Sequence, residues 1–288
     1  MKLYPIQCGN FKLDGGAMFG VVPKSLWQRT NPADDSNLIS MGMRSLLIED
    51  GKKLILIDCG LGDKQNEKFF SHYSLYGDES LEKNLAKFGF IKDDITDVFL
   101  THLHFDHCGG AIEWNNEKTG YRPAFKNATY WSNSNHWDWA TNPNAREKAS
   151  FLEENILPIK ESGQLQFLPV PQQGNYSFAP DLKMDVLFVD GHTEKQMLPV
   201  LKYQDKTIVF AADLIPTAGH VPLVYVMGYD TRPLLTMEEK ERFLKQCVDN
   251  DYLLFLEHDA YHELASVKMT DRGIKLDQTF SFNDVFGY

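Results

Sequence analysis

The run Leu100-Thr101-His102-Leu103-His104-Phe105-Asp106-His107-Cys108-Gly109-Gly110 constrains this chain more than any other feature. Three imidazoles and a carboxylate stand between positions 102 and 107, just past the apolar stretch Asp97-Val98-Phe99-Leu100. At the chain's own His and Asp frequencies, a chance HxHxDH pattern is expected roughly once in 1,000 such sequences. In extended backbone alternate side chains share a face. His102 and His104 can therefore converge on one metal ion while the following turn swings Asp106 and His107 toward another. Gly109-Gly110 lets the backbone turn tightly there. Four ligands from one loop cannot complete two such sites, so further ligands must come from elsewhere.

They stand at the ends of other apolar runs. His192 follows Asp185-Val186-Leu187-Phe188-Val189, Asp213 follows Thr207-Ile208-Val209-Phe210-Ala211, and His258 follows Tyr252-Leu253-Leu254-Phe255-Leu256. These runs, with Ser45-Leu46-Leu47-Ile48 and Lys53-Leu54-Ile55-Leu56-Ile57, have strand length and are bounded by Gly, Asp or Lys. Asp50-Gly51 predicts a type I′ hairpin turn between the first two strands, because it supplies positive φ angles. Helical periodicity fits residues 78–88 and 237–250, with Thr236 as N-cap of the second helix and Glu239 at the capping-box offset. The Gln-, Pro- and Gly-rich segment 163–180 reads as a loop. With no short repeat and no Ser/Gly linker, residues 1–288 read as a single domain of mixed sheets with helices outside. Residues 1–40, which carry Met18, Phe19 and Trp27 among glycines and prolines, read as an ordered flap over the site.

The HxHxDH motif at His102, His104, Asp106 and His107, with His192, Asp213 and His258 downstream, resembles the metallo-β-lactamase superfamily of di-metal hydrolases. The resemblance runs from the strand pair near Ser45 to His258 and implies an α/β fold, a four-layer αββα sandwich of two mixed sheets with the metals at one edge. It also implies a ligand set: His102, His104 and His192 on one ion, Asp106, His107 and His258 on the other, and Asp213 bridging. Asp58, in the Ile57-Asp58-Cys59-Gly60 turn, would orient a ligating imidazole from behind; a simple turn former is the competing reading. Two divalent ions give +4, and Asp106, Asp213 and a bridging hydroxide remove three charges, leaving a positive face toward an oxyanion. Asp106 would accept the proton released on attack. Zinc suits the imidazole-rich set, with iron or manganese as alternatives. His104, where flavodiiron relatives carry Glu, favours hydrolysis over redox chemistry.

Within the superfamily, the Asp14–Lys24 flap with Trp27, the run from Ala212 to His220 and the run from Val226 to Asp230 look like the branch holding quorum-quenching N-acyl homoserine lactonases and methyl parathion hydrolase. The expected substrate is a small molecule with an apolar portion. A lactone or other carboxylic ester comes first; a phosphotriester, or a metal-binding signalling role without turnover, is the alternative. Phe19, Trp137 and His220 are candidate substrate contacts. The chain departs from the pattern in two places. Lys195-Gln196 stands where relatives carry a second Gly-His, and Pro216 stands where well-studied lactonases carry Tyr.

Charge and composition exclude other classes. Lys and Arg number 29 against 40 Asp and Glu, and a net charge of −11 repels phosphate backbones and anionic lipid, so neither nucleic acid nor membrane is an expected partner. The amino terminus lacks the apolar block of about 7–15 residues of a secretory signal. The apolar run from Leu214 to Tyr229 is interrupted by Pro216, His220 and Pro222. Four cysteines with no CxxC pair read as thiols in a reducing cytoplasm. A homodimer is left open.

Overall fold

A computed structural model describes residues 1–287. Strand pairing yields two large mixed sheets and a two-stranded ribbon. The six-stranded sheet runs in the order Lys2–Asp14, Leu38–Asp50, Lys53–Ile57, Asp97–Phe99, Thr129–Asn133, Leu165–Leu168. Leu38–Asp50 and Lys53–Ile57 pair antiparallel as a hairpin, whereas Lys53–Ile57, Asp97–Phe99, Thr129–Asn133 and Leu165–Leu168 are successively parallel. Parallel strands lie covered on both faces, which is why Ile55, Leu56, Ile57, Val98 and Phe99 are continuous apolar runs and are all buried. The seven-stranded sheet runs Gly273–Phe280, Leu264–Thr270, Tyr252–Phe255, Lys206–Phe210, Gln196–Tyr203, Met184–Val189, Tyr176–Ala179. In it Lys206–Phe210 and Tyr252–Phe255 pair parallel, in a register that sets Phe210 opposite Phe255 with their rings stacked 5.2 Å apart.

Contacts divide the chain into two compact units with interleaved segments. The first holds Met1–Asn10 and Met43–Tyr176; the second holds Phe11–Gly42 and the chain from Ser177 onward. In the first, Leu47, Leu56, Val98, Leu100, Tyr130 and Ile159 belong to one buried cluster, into which helix Leu81–Lys87 contributes Leu81 and Leu85. In the second, helix Pro233–Asn250 buries Phe243, Leu244 and Cys247. No helix among the described residues is long and apolar enough to cross a membrane.

Several local expectations shift. The hairpin exists with Asp50 opposite Lys53, so its loop is Gly51-Lys52, one residue beyond the Asp-Gly reading, and Gly51 alone of the two has positive φ. Helix Pro233–Asn250 starts four residues earlier than its apolar spacing suggests, because Pro233 at its first turn already carries the helical φ. Thr236 is consequently inside the helix and not its N-cap. Segment 163–180 is not wholly loop, since Leu165–Leu168 and Tyr176–Ala179 pair at sheet edges. Gly109 and Gly110 are required for space: a Cβ would sit 2.1 Å from the Leu61 carbonyl oxygen at Gly109 and 2.2 Å from the Cys59 carbonyl oxygen at Gly110.

Candidate metal centre

In the first unit, parallel strands deliver their carboxyl-terminal ends to one place, as open α/β sheets do at ligand sites. Asp58 ends strand Lys53–Ile57 with φ 55, and the loop after Asp97–Phe99 carries the histidine run. The Asp58 carboxylate is fully buried and accepts three hydrogen bonds: the Thr101 amide at 2.8 Å, the Thr101 hydroxyl at 2.6 Å and His107 Nδ1–H at 3.0 Å. It is therefore more than a turn former.

Proton bookkeeping then fixes the neighbouring rings. The Thr101 hydroxyl has given its proton to Asp58, so at 3.1 Å it accepts from His102 Nδ1–H, which leaves His102 Nε2 with its lone pair. His102 Nε2 faces His104 Nδ1 at 3.1 Å. Behind His104, its Nε2 lies 3.4 Å from the Glu147 carboxylate. His107 uses Nδ1 on Asp58 and keeps Nε2, which lies 3.9 Å from Asp106 Oδ1. His102, His104, Asp106 and His107 are thus gathered, and His102 and His107 each keep Nε2 as an acceptor.

The second unit repeats the logic. His192 donates Nδ1–H to Asp230 Oδ1 at 2.9 Å, and its Nε2 lies 3.1 Å from Asp213 Oδ2. His258 donates Nδ1–H to the Gly42 carbonyl at 2.9 Å, and its Nε2 lies 3.2 Å from Asp213 Oδ1. The two oxygens of one carboxylate therefore each face an imidazole Nε2. Buried acceptor against acceptor is repulsive unless a proton or a cation lies between, so this donor set fits a metal ion. A proton can serve in its place. Burial alone would lower the His192 pKa, but the charge of Asp213 and hydrogen bonds to Asp213 and Asp230 raise it to about 10. The residue before Asp213, Ala212, has φ 40, a left-handed conformation that costs a non-glycine residue about 1–2 kcal/mol and aims the carboxylate.

Helix Pro233–Asn250 holds the His192 turn. Glu239 accepts the Asp190 and Gly191 amides at 2.8 and 2.9 Å, and a Cβ on Gly191 would lie 2.4 Å from the Thr236 nitrogen. The Glu239 carboxylate therefore caps a distant turn and not its own helix; burial pushes its pKa up against those two amides. Lys240, fully buried, donates to the Pro222 and Tyr225 carbonyls, both at 2.9 Å, and burial lowers its pKa to about 7. It ties down the loop that ends at Asp230.

The three candidate substrate contacts lie inside their units. Phe19 is fully buried, stacked on Trp27 at 5.3 Å and on His220 at 4.2 Å. His220 donates Nε2–H to the Met18 carbonyl and accepts from the Thr217 hydroxyl; burial pushes its pKa down to about 3, so it is a neutral strut between the 11–42 segment and the 217–230 loop. Trp137 is buried in the first unit's cluster. Sequence reasoning missed Glu147 and His136, whose Nε2 accepts the Leu103 amide at 2.8 Å, and read Glu239 as a capping-box residue of its own helix. It also assigned no role to Asp230, although it noted the segment. Their common signal is weak: each acts across many intervening residues.

Comparison with known proteins places this geometry in a family. The metallo-beta-lactamase superfamily model matches residues 44–258. N-acyl homoserine lactonase AiiA of Bacillus thuringiensis subsp. kurstaki is 23% identical over 278 residues, covering 91% of this chain and 94% of that protein. Among solved structures, a probable metal-dependent hydrolase from Staphylococcus aureus superposes with a TM-score of 0.85 at 27% identity, covering 97% of this chain and 96% of the other. AidC, a dizinc quorum-quenching lactonase, superposes with a TM-score of 0.74 at 22% identity, covering 96% and 94%. The mixed sheets are those of this fold, as the motif implied. A motif matched at every position, a family model spanning most of the chain and a shared fold together establish that this protein belongs to the metallo-β-lactamase superfamily of hydrolases.

Proposed function

We propose that the chain is a di-metal hydrolase of neutral carboxylic esters, with a lactone as the leading substrate class. His102, His104 and His192 would hold one divalent ion and Asp106, His107 and His258 the other, with Asp213 shared. The observation that carries this reading is the Asp213 carboxylate, with its two oxygens 3.1 and 3.2 Å from the Nε2 atoms of His192 and His258. Bound there, two ions would activate a water molecule at neutral pH and polarise the bond to be cleaved. Zinc is the proposed ion, because imidazole-rich ligation without thiolate suits it.

The chain's own residues set the rest. Asp58, Asp230, Thr101 and the Gly42 carbonyl accept from the outward nitrogens of His107, His192, His102 and His258, and Glu147 lies 3.4 Å from that of His104, so that the inward nitrogens are the ones that would hold the ions. Asp106 is the proposed proton acceptor. Pro216, whose carbonyl accepts the His258 amide at 3.2 Å, cannot donate to a departing oxygen. Poor leaving groups should therefore be turned over slowly. Lactonase and other hydrolase relatives support the ester class, and 23% identity leaves the acyl group undefined.

The test is metal analysis of the purified protein followed by a panel: lactone and ester opening followed by a pH indicator, and aryl phosphotriester release followed by absorbance. Two ions per chain with lactone or ester turnover supports the reading. Phosphotriester turnover alone moves the protein to the other hydrolase class. Two ions with no turnover of any substrate favours the signalling role, and an absence of bound ions overturns the proposal.

A further inference from the structure

The segment 142–152, between helices Ser134–Thr141 and Glu153–Glu161, is built around one buried carboxylate. Glu147 is 3% exposed. Its Oε2 accepts Trp139 Nε1–H and an Asn144 side-chain N–H, each at 2.7 Å, and its own amide donates to Asn144 Oδ1 at 3.1 Å. The same segment clamps the histidine run: the Ser150 carbonyl accepts the Phe105 amide at 3.0 Å, and the Phe151 ring lies 4.8 Å from that of His104. With two neutral donors fixing one oxygen, the other is left 3.4 Å from His104 Nε2. Removing a carboxylate from water costs several kcal/mol unless it is well paired. Here the donors converge so that one oxygen faces an imidazole.

We propose that Glu147 is a positioning residue that holds His104 as its Nε2–H tautomer and so presents Nδ1 as a metal donor. The other four imidazoles have a hydroxyl, a backbone carbonyl or an aspartate for this task, and His104 has Glu147. An acceptor on the outer nitrogen fixes the tautomer and makes the ring a better donor; loss of such a partner typically costs 10–100-fold in metal affinity. A neutral amide would reverse the effect. In Glu147→Gln the amide oxygen still accepts from Trp139 and Asn144, which turns the NH2 group toward His104 Nε2. That nitrogen must then accept, the ring proton moves to Nδ1, and the donor atom is blocked.

The inference rests on the di-metal reading for its affinity consequence but not for its tautomer consequence, and the two are measured separately. In the chelator-stripped, 15N-histidine-labelled protein, the His104 signals, assigned by their loss in His104→Gln, should report a protonated Nε2 in the wild type and an Nε2 without its proton in Glu147→Gln. Zinc affinity measured by competition with a chromophoric chelator should fall 10–100-fold for one ion. Trp139→Phe removes a donor to the same carboxylate without changing its charge and should keep both the tautomer and an affinity within threefold of wild type. If Glu147→Gln does not fold, Glu147→Asp, which withdraws the charge by one methylene, must lower affinity in the same direction. Wild-type tautomer and affinity in Glu147→Gln, undiminished affinity in Glu147→Asp, or an equal loss in Trp139→Phe would overturn the role of the carboxylate. A tautomer change in a protein that binds no zinc in any form would instead overturn the di-metal reading and leave the positioning of His104 standing.

Discussion

Replacing Asp58 with Asn tests the outer ring of the centre with little else disturbed. Asn has the same shape and tolerates the left-handed backbone that Asp58 adopts at φ 55, so backbone strain is unchanged. The amide oxygen can keep the Thr101 N–H, and the Thr101 hydroxyl can rotate to accept in place of donating. His107 has no such repair. Its Nδ1–H would meet an N–H donor, so the ring either loses its partner or moves its proton onto Nε2, the atom that should face the ion. A hydrogen bond to a charged partner is worth about 1.5–3 kcal/mol. At about 1.4 kcal/mol per tenfold, that is roughly one to two decades of affinity, and partners behind metal-ligating imidazoles typically contribute 10–100-fold. Chelator competition on wild type and Asp58→Asn should show that loss for one of two ions, with the chelator-stripped proteins compared by thermal melting as a control for folding. Two ions retained within twofold of wild-type affinity would refute the reasoning.

Other consequences can be checked alongside. Gly110→Ala should lose about 1–3 kcal/mol in thermal melts, because its Cβ meets the Cys59 carbonyl, whereas Gly51→Ala, with open space and only a positive φ, should lose about 1 kcal/mol. The Lys240 pKa falls on folding, so this group's contribution to stability should rise with pH from about 7 toward its unfolded value, at up to about 1.4 kcal/mol per pH unit. Urea unfolding of wild type and Lys240→Met at pH 7, 8 and 9 should show that gain in the wild type alone. Glu239→Gln keeps one of two acceptors for the Asp190 and Gly191 amides and should cost about 1–3 kcal/mol, seen as a lower unfolding midpoint. Dialysis against a chelator should lower the melting temperature, and added zinc should restore it in a concentration-dependent way.

The amino-acid sequence made the centre's donors and most strands readable, because both are local patterns: ligands stood just past apolar runs, and those runs became Asp97–Phe99, Met184–Val189, Lys206–Phe210 and Tyr252–Phe255. What could not be read was everything fixed by distant partners. Glu239 matched a capping box by spacing, yet its acceptors serve a turn 48 residues away. Gly110 looked like a turn residue, yet it is small because another backbone passes against it. Asp230 ends an apolar run and Glu147 sits in a polar stretch, and nothing local distinguishes a carboxylate that backs an imidazole from one that faces solvent. The stacking of Phe19 on His220, about 200 residues apart in the chain, is likewise invisible to local pattern.

The order in which the chain visits its two units bears on how it is made. Residues 11–42 leave the ribosome early, yet Met18, Asn31 and Gly42 bond to His220, Thr217 and His258, near the end of synthesis. At about 5–20 residues per second they wait for about 10–40 s with Phe19 and Trp27 uncovered. A nascent chain arrested near residue 180 should therefore be cleaved by protease within 11–42 while the segment from 43 onward resists, and completion of the carboxyl-terminal strands should close that window.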